Sequence, residues 1–114
     1  MKIERFEDIL SWQKARDLVL KTYKIFQTNK DYSFRDQLQR AAVSIMNNIA
    51  EGFERRSNNE FKHFLFIAKG SCAEFRSMLL VSRELHYLSE EDFRNMHDIS
   101  LEISRLLSGL IKTL

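Results

Sequence analysis

A chain of 114 residues with no proline and only three glycines is poor in the residues that make tight turns. Sheets and barrels need a turn every few residues, and those turns draw on glycine and proline for their backbone angles. A few long helices joined by short connections need far fewer, so the scarcity predicts an all-α fold. At this length one domain, residues 1–114, can bury a core, and so short a chain gains further from burying surface in an oligomer. Hydrophobic residues make up 44% and charged residues 30%; that balance is too apolar for a disordered chain and too interrupted by charge for a membrane span.

Four segments carry helical periodicity. After Ser11, apolar positions recur at Ala15, Leu18, Val19, Thr22, Ile25 and Phe26, spaced by three and four and so on one face. The run Thr28 to Ser33 breaks the pattern, and Ser33 with Asp36 reads as a capping box opening a second helix. Its inward face is Phe34, Leu38, Ala41, Ala42, Ile45, Ile49 and Phe53. Ser57 with Glu60 repeats the capping signature beyond Gly52, which predicts a turn at Arg55 to Asn58 and a third helix after it. There Phe61, Leu65, Ala68, Cys72, Phe75, Leu79 and Ser82 form a coiled-coil-like seam widened by Phe64 and Met78. Phe66, Ile67, Leu80 and Val81 lie off that seam and predict a second packed side. Ser89 with Asp92 caps a fourth helix with Met96, Ile99, Ile103, Leu106 and Leu110 inward. Four helices with short connections imply an antiparallel up-down-up-down bundle.

Charge is unevenly spread. Trp12 to Arg83 holds thirteen basic against seven acidic residues, a net of +6, while Glu84 to Leu114 holds three against six, a net of −3. Lys62, Lys69, Arg76 and Arg83 stand seven residues apart, led by Arg55 and Arg56. Seven residues are nearly two turns, so the row drifts only ~20° and rises roughly 10 Å per step. Such a row can pair with Glu51, Glu54 or the acids of the fourth helix, contact RNA or DNA, or meet an acidic protein partner; all three readings stay open. The second helix carries a polar stripe, Gln37, Arg40, Ser44, Asn47, Asn48, Glu51 and Arg55, beside its apolar face. Short polar groups suit close helix contact better than open solvent. Arg40, Ser44, Asn47, Asn48 and Glu51 are accordingly expected at a packing seam, within the bundle or between subunits, with an exposed face or a ligand site as the alternatives.

No catalytic, metal or cofactor site assembles from these residues. One Glu-x-x-His, Glu60 and His63, lacks the second copy that di-iron bundles use. Cys72, the only cysteine, permits neither an internal disulfide nor a zinc quartet, and its seam position makes it a small hydrophobe. Glycine-rich phosphate loops and nucleophile elbows are absent from the sequence. The opening MKIERFEDIL lacks the apolar core of a secretory signal, and with the lone cysteine it leads to an expectation of a cytoplasmic, non-enzymatic protein without membrane contact.

The stretches Trp12-Gln13-Lys14-Ala15, Arg40-Ala41-Ala42-Val43-Ser44-Ile45, Asn48-Ile49-Ala50-Glu51-Gly52 and Ala68-Lys69-Gly70-Ser71, in that order, resemble the four-helix-bundle protein family found in intervening sequences of bacterial 23S ribosomal RNA genes. The resemblance spans nearly the whole chain. It implies a homopentamer, and through the similar accessory variability protein of diversity-generating retroelements it implies a basic assembly that binds nucleic acid or a protein such as a reverse transcriptase. The chain departs from the family pattern in lacking proline between Thr28 and Asp31 and in placing Gln39 where a second basic residue is common.

Overall fold

A computed structural model describes residues 2–114; Met1, the first residue of the expected domain, lies outside the described residues. A short 3-10 turn, Phe6–Asp8, precedes four helices: α1 (Leu10–Phe26), α2 (Tyr32–Phe53), α3 (Asn58–Glu84) and α4 (Glu90–Lys112). Each packs against its neighbours in sequence and α4 closes back on α1; among the described residues the backbones of the diagonal pairs do not approach closely, and only their side chains share the core. The result is an antiparallel four-helix bundle 42 Å long. That length is set by α3, whose 27 residues span about 40 Å.

The seam expected on α3 is the buried face observed: Phe61, Leu65, Ala68, Cys72, Phe75, Leu79 and Ser82 all lie inside. They meet Leu38, Ile45 and Ile49 of α2, Leu18 and Phe26 of α1, and Met96, Ile103 and Leu107 of α4 in one core. On α4 the expectation needs correction. Its buried line is Phe93, Met96, Ser100, Ile103 and Leu107, and Ile99, Leu106 and Leu110 flank it half-covered. A small residue occupies the middle because α3 and α4 meet closely there: the Cys72 thiol donates to the Ser100 carbonyl at 3.0 Å.

Two of the three predicted serine caps form. Ser57 Oγ accepts from the Glu60 amide at 3.2 Å and Ser89 Oγ from the Asp92 amide at 3.0 Å. The start of α2 differs. Asp31, not Ser33, is the cap, accepting from the Phe34 amide at 3.3 Å, while Asp36 pairs with Arg35 at 3.1 Å. Asp31 gains a second anchor that no local pattern shows: the Tyr87 hydroxyl, from the loop between α3 and α4, donates to its carboxylate at 2.6 Å. That bond holds the Tyr87 phenol above its ordinary pKa, with burial and the Asp31 charge acting in the same direction. The first helix also begins earlier than expected, at Leu10, separated from the 3-10 turn only by Ile9 in an extended conformation.

Gly52 sets the approach of α2 to α3. A Cβ there would stand 2.6 Å from Phe64 Cβ and 3.0 Å from the Phe61 ring. Its backbone is ordinary helix, so contact distance rather than conformation demands glycine. At the far end of α3, His86 occupies the left-handed position (φ 59°). The amides of His86 and Tyr87 donate to Arg83 and Ser82 carbonyls at 3.1 and 3.0 Å, a Schellman stop in which glycine is usual.

Candidate nucleic-acid interface

The basic row lies along the edge of α3 that faces α4. Its heptad spacing places each cation one residue after a buried seam position, Phe61, Ala68, Phe75 and Ser82. The charges therefore stand at the rim of the α3–α4 groove.

The row is tied at its ends and free in its middle. Arg83 pairs with Glu90 at 2.8 Å and lies 4.6 Å from the centre of the Phe93 ring. At the leading end, Arg55 pairs with Glu51 at 3.0 Å and stacks over Phe64 at 4.7 Å. Both pairs are about half exposed, where an ion pair contributes at most about 1 kcal/mol. Lys62, Lys69, Arg76 and Arg56 enter no ion pair among the described residues. Lys69 donates to the Ser108 hydroxyl of α4 at 2.6 Å, and Arg76 reaches the Cys72 sulfur at 3.4 Å. Those partners are neutral, so both positive charges stay uncompensated, and most of their donors remain unused.

Arg56 stands apart from the line. Exposed in the turn between α2 and α3, it borders a cavity of about 540 Å³ at the end of the bundle together with Lys2, Ser57, Asn58, Phe61 and Leu114.

The polar stripe of α2 divides in two. Ser44 and Asn48 are half-buried at the α2–α3 edge: the two hydroxyls of Ser44 and Ser71 share a hydrogen bond at 2.8 Å, and Asn48 Nδ2 donates to the Ser44 carbonyl at 2.8 Å and to its hydroxyl at 3.0 Å. Arg40, Asn47 and Glu51 face outward. Arg40 and Glu74 border one cavity of about 330 Å³ across this edge without pairing. Ser71 and Ser108, the hydroxyls that receive the stripe and the row, carry no local signal in the sequence, because each meets its partner only through the register between helices.

The remaining reactive groups stay apart. Burial pushes the Cys72 thiol above its ordinary pKa, only partly offset by the charge and hydrogen bond of Arg76 and by the charge of Lys69. Raised in this way, the group is a poor nucleophile at neutral pH. Glu60 accepts from its capping partner Ser57 at 3.2 Å, and His63 is exposed, edge-on to Phe64. Among the described residues no three His, Cys, Asp or Glu side chains gather as metal ligands, and no helix is long and apolar enough to cross a membrane.

The outer side of α3 carries Phe66, Ile67, Leu80, Val81 and Leu85, all exposed. The second packed side expected from sequence is therefore uncovered in the single chain. By helical position Phe66 and Leu80 lie toward the basic row, and Ile67, Val81 and Leu85 toward α2.

A family model described as the 23S rRNA-intervening sequence protein matches residues 7–109. Among solved structures, the chain is similar to a protein of unknown function from the S23 ribosomal protein family of Bacteroides thetaiotaomicron, with a TM-score of 0.84 and 25% identity over 90% of this chain and 99% of that one. Among curated proteins, no sequence matches.

Proposed function

This chain belongs to the 23S rRNA-intervening sequence protein family, and from that premise we propose that it acts without catalysis, as a self-associating cytoplasmic bundle that binds RNA or DNA along α3. The observation that carries this reading is the run Lys62, Lys69 and Arg76, three cations in line at one rim with no carboxylate partner among the described residues. Charges kept for the fold would be expected to find acids, as Arg83 and Arg55 do. Charges kept for a polyanion are left free, at a spacing that follows a backbone rather than reading base edges.

Self-association is the second part of the proposal, and the assembly we propose is the homopentamer that the family resemblance implies. Its support here is the uncovered apolar side of α3, of which Ile67, Val81 and Leu85 lie away from the cations. Copies joined there would repeat the basic row around the assembly and sum its field. The same apolar residues favour a second reading, an adaptor that holds a protein partner.

Binding carried by phosphates is salt-dependent. A copy that neutralises three phosphates has log affinity falling against log salt with a slope of about −2 to −3. Titration of RNA and DNA at several salt concentrations, with the Lys69→Glu, Arg76→Glu double variant alongside, is the test. Expected are that slope and loss of binding in the variant; an affinity indifferent to both salt and charge reversal would sink the reading. Nucleic acid co-purifying in a nuclease-sensitive manner favours it over the adaptor, whereas a clean preparation that retains a protein partner favours the adaptor.

A further inference from the structure

Of nine phenylalanines, eight are buried or half-covered in the bundle. Phe66 is the exception, 56% exposed on the outer side of α3. It lies four residues after Lys62 and three before Lys69, so both are its neighbours on the helix surface. Neither lysine enters an ion pair among the described residues.

Beyond Phe66 the helix surface is low. Gly70, one turn on, has no atom beyond its chain neighbours and its own helix backbone within 4 Å of where a Cβ would stand, and Ala73 follows on the same face. The next exposed bulky side chain in that line is Leu80, about 21 Å further along the axis. Helical side chains lean toward the N-terminus. Phe66 thus stands as the N-terminal wall of a shallow saddle floored by Gly70 and Ala73, with Lys69 and Arg76 along its α4 border. More than half exposed, the phenylalanine adds little to the bundle's own packing, and in this place it offers an apolar face within reach of free cations.

We propose that this saddle is a stacking subsite for an unpaired nucleobase, and that the ligand of the basic row is therefore single-stranded nucleic acid. The inference rests on the nucleic-acid reading above and narrows it. A duplex keeps its bases stacked on each other, and the deep, narrow major groove of A-form RNA admits no side chain of a straight helix. A single strand can lay its phosphates along Lys62, Lys69 and Arg76 and turn one base onto Phe66, the combination of cationic track and aromatic platform that such ligands use. Base stacking of this kind tolerates any sequence, so the site discriminates by strandedness.

The test is anisotropy titration of a labelled, unstructured single strand of about 15 nucleotides, as RNA and as DNA, beside the matching duplexes. Phe66→Ala is expected to weaken single-strand binding about tenfold, with the salt slope and duplex binding unchanged, and Phe66→Trp to retain the single-strand affinity. Equal losses on single strand and duplex, or no loss on either, would overturn the stacking site. So would a fall in native assembly mass on Phe66→Ala, which would assign the ring to a contact between copies. If Lys69→Glu with Arg76→Glu abolishes binding while Phe66→Ala is neutral, the basic row stands and this inference alone fails; if neither variant matters, the row itself fails.

Discussion

Along its α2 edge, α3 comes close enough that Gly52 has no room for a methyl group, and the polar atoms at that edge, Ser44, Asn48 and Ser71, are bonded to one another. Along its α4 edge the same helix carries Lys62, Lys69 and Arg76, whose only side-chain partners among the described residues are a hydroxyl and a sulfur. One heptad repeat generates both edges, so periodicity alone does not separate them. The difference lies in chemistry: short groups that satisfy each other lock a helix pair, whereas long cations facing neutral partners leave charge unspent. The first edge is satisfied within the fold, and the second keeps positive charge that the fold does not neutralise.

The largest expected effect tests the first edge. Gly52→Ala gains up to about 1 kcal/mol of helix propensity, yet its new Cβ meets Phe64 Cβ at 2.6 Å. The obstacle belongs to the base of a side chain on a packed helix, so neither helix can yield locally. Overpacking of this kind costs about 1 to 3 kcal/mol. A net loss of about 1 to 2 kcal/mol in urea denaturation is expected, and a stabilised variant would show that the edge is looser than its geometry implies. Next in size is the hydroxyl bridge. A double-mutant cycle of Ser44→Ala and Ser71→Ala should give a coupling of about 0.5 to 1.5 kcal/mol, since each hydroxyl loses its partner when the other is removed. A coupling near zero would mean that solvent replaces the bond without loss.

Much of this architecture is readable in the residues, and the parts that are not share a cause. All seven buried positions of α3 and the caps at Ser57 and Ser89 follow from spacing, because a 27-residue helix repeats its pattern often enough to fix its face. On α4 the residues Ile99, Leu106 and Leu110 are as apolar as the ones buried; only the close crossing beside Cys72 favours the line through Ser100. Asp31 outcompetes Ser33 as a cap because Tyr87, fifty-six residues away, donates to it. His86 ends α3 in a left-handed position where the sequence offers no glycine to mark the stop. Each miss is a local choice decided by a distant contact. The candidate interface divides likewise. Alignment of the four cations is a property of one helix and is legible, whereas their partners are set by α4 and by the fold: Glu90 neutralises Arg83, while Lys69 and Arg76 meet only the neutral Ser108 and Cys72.

The smallest expected effect on stability is the one that separates the two edges most sharply. Lys69→Met with Arg76→Met keeps the aliphatic stems against the groove and removes two positive charges. At Lys69 the loss is one bond to a half-buried hydroxyl; at Arg76 it is a long contact to sulfur, a weak acceptor. Neutralisation also relieves repulsion along a row of like charge. These terms are small and opposed in sign, so the unfolding free energy should move by less than about 0.5 kcal/mol while affinity for single-stranded nucleic acid falls. A destabilisation matching that of Gly52→Ala would show the cations to be fastened into the bundle after all, and the α4 edge would then be a second device of the fold. Unchanged stability with lost binding is the outcome that leaves the charge of α3 free for a ligand.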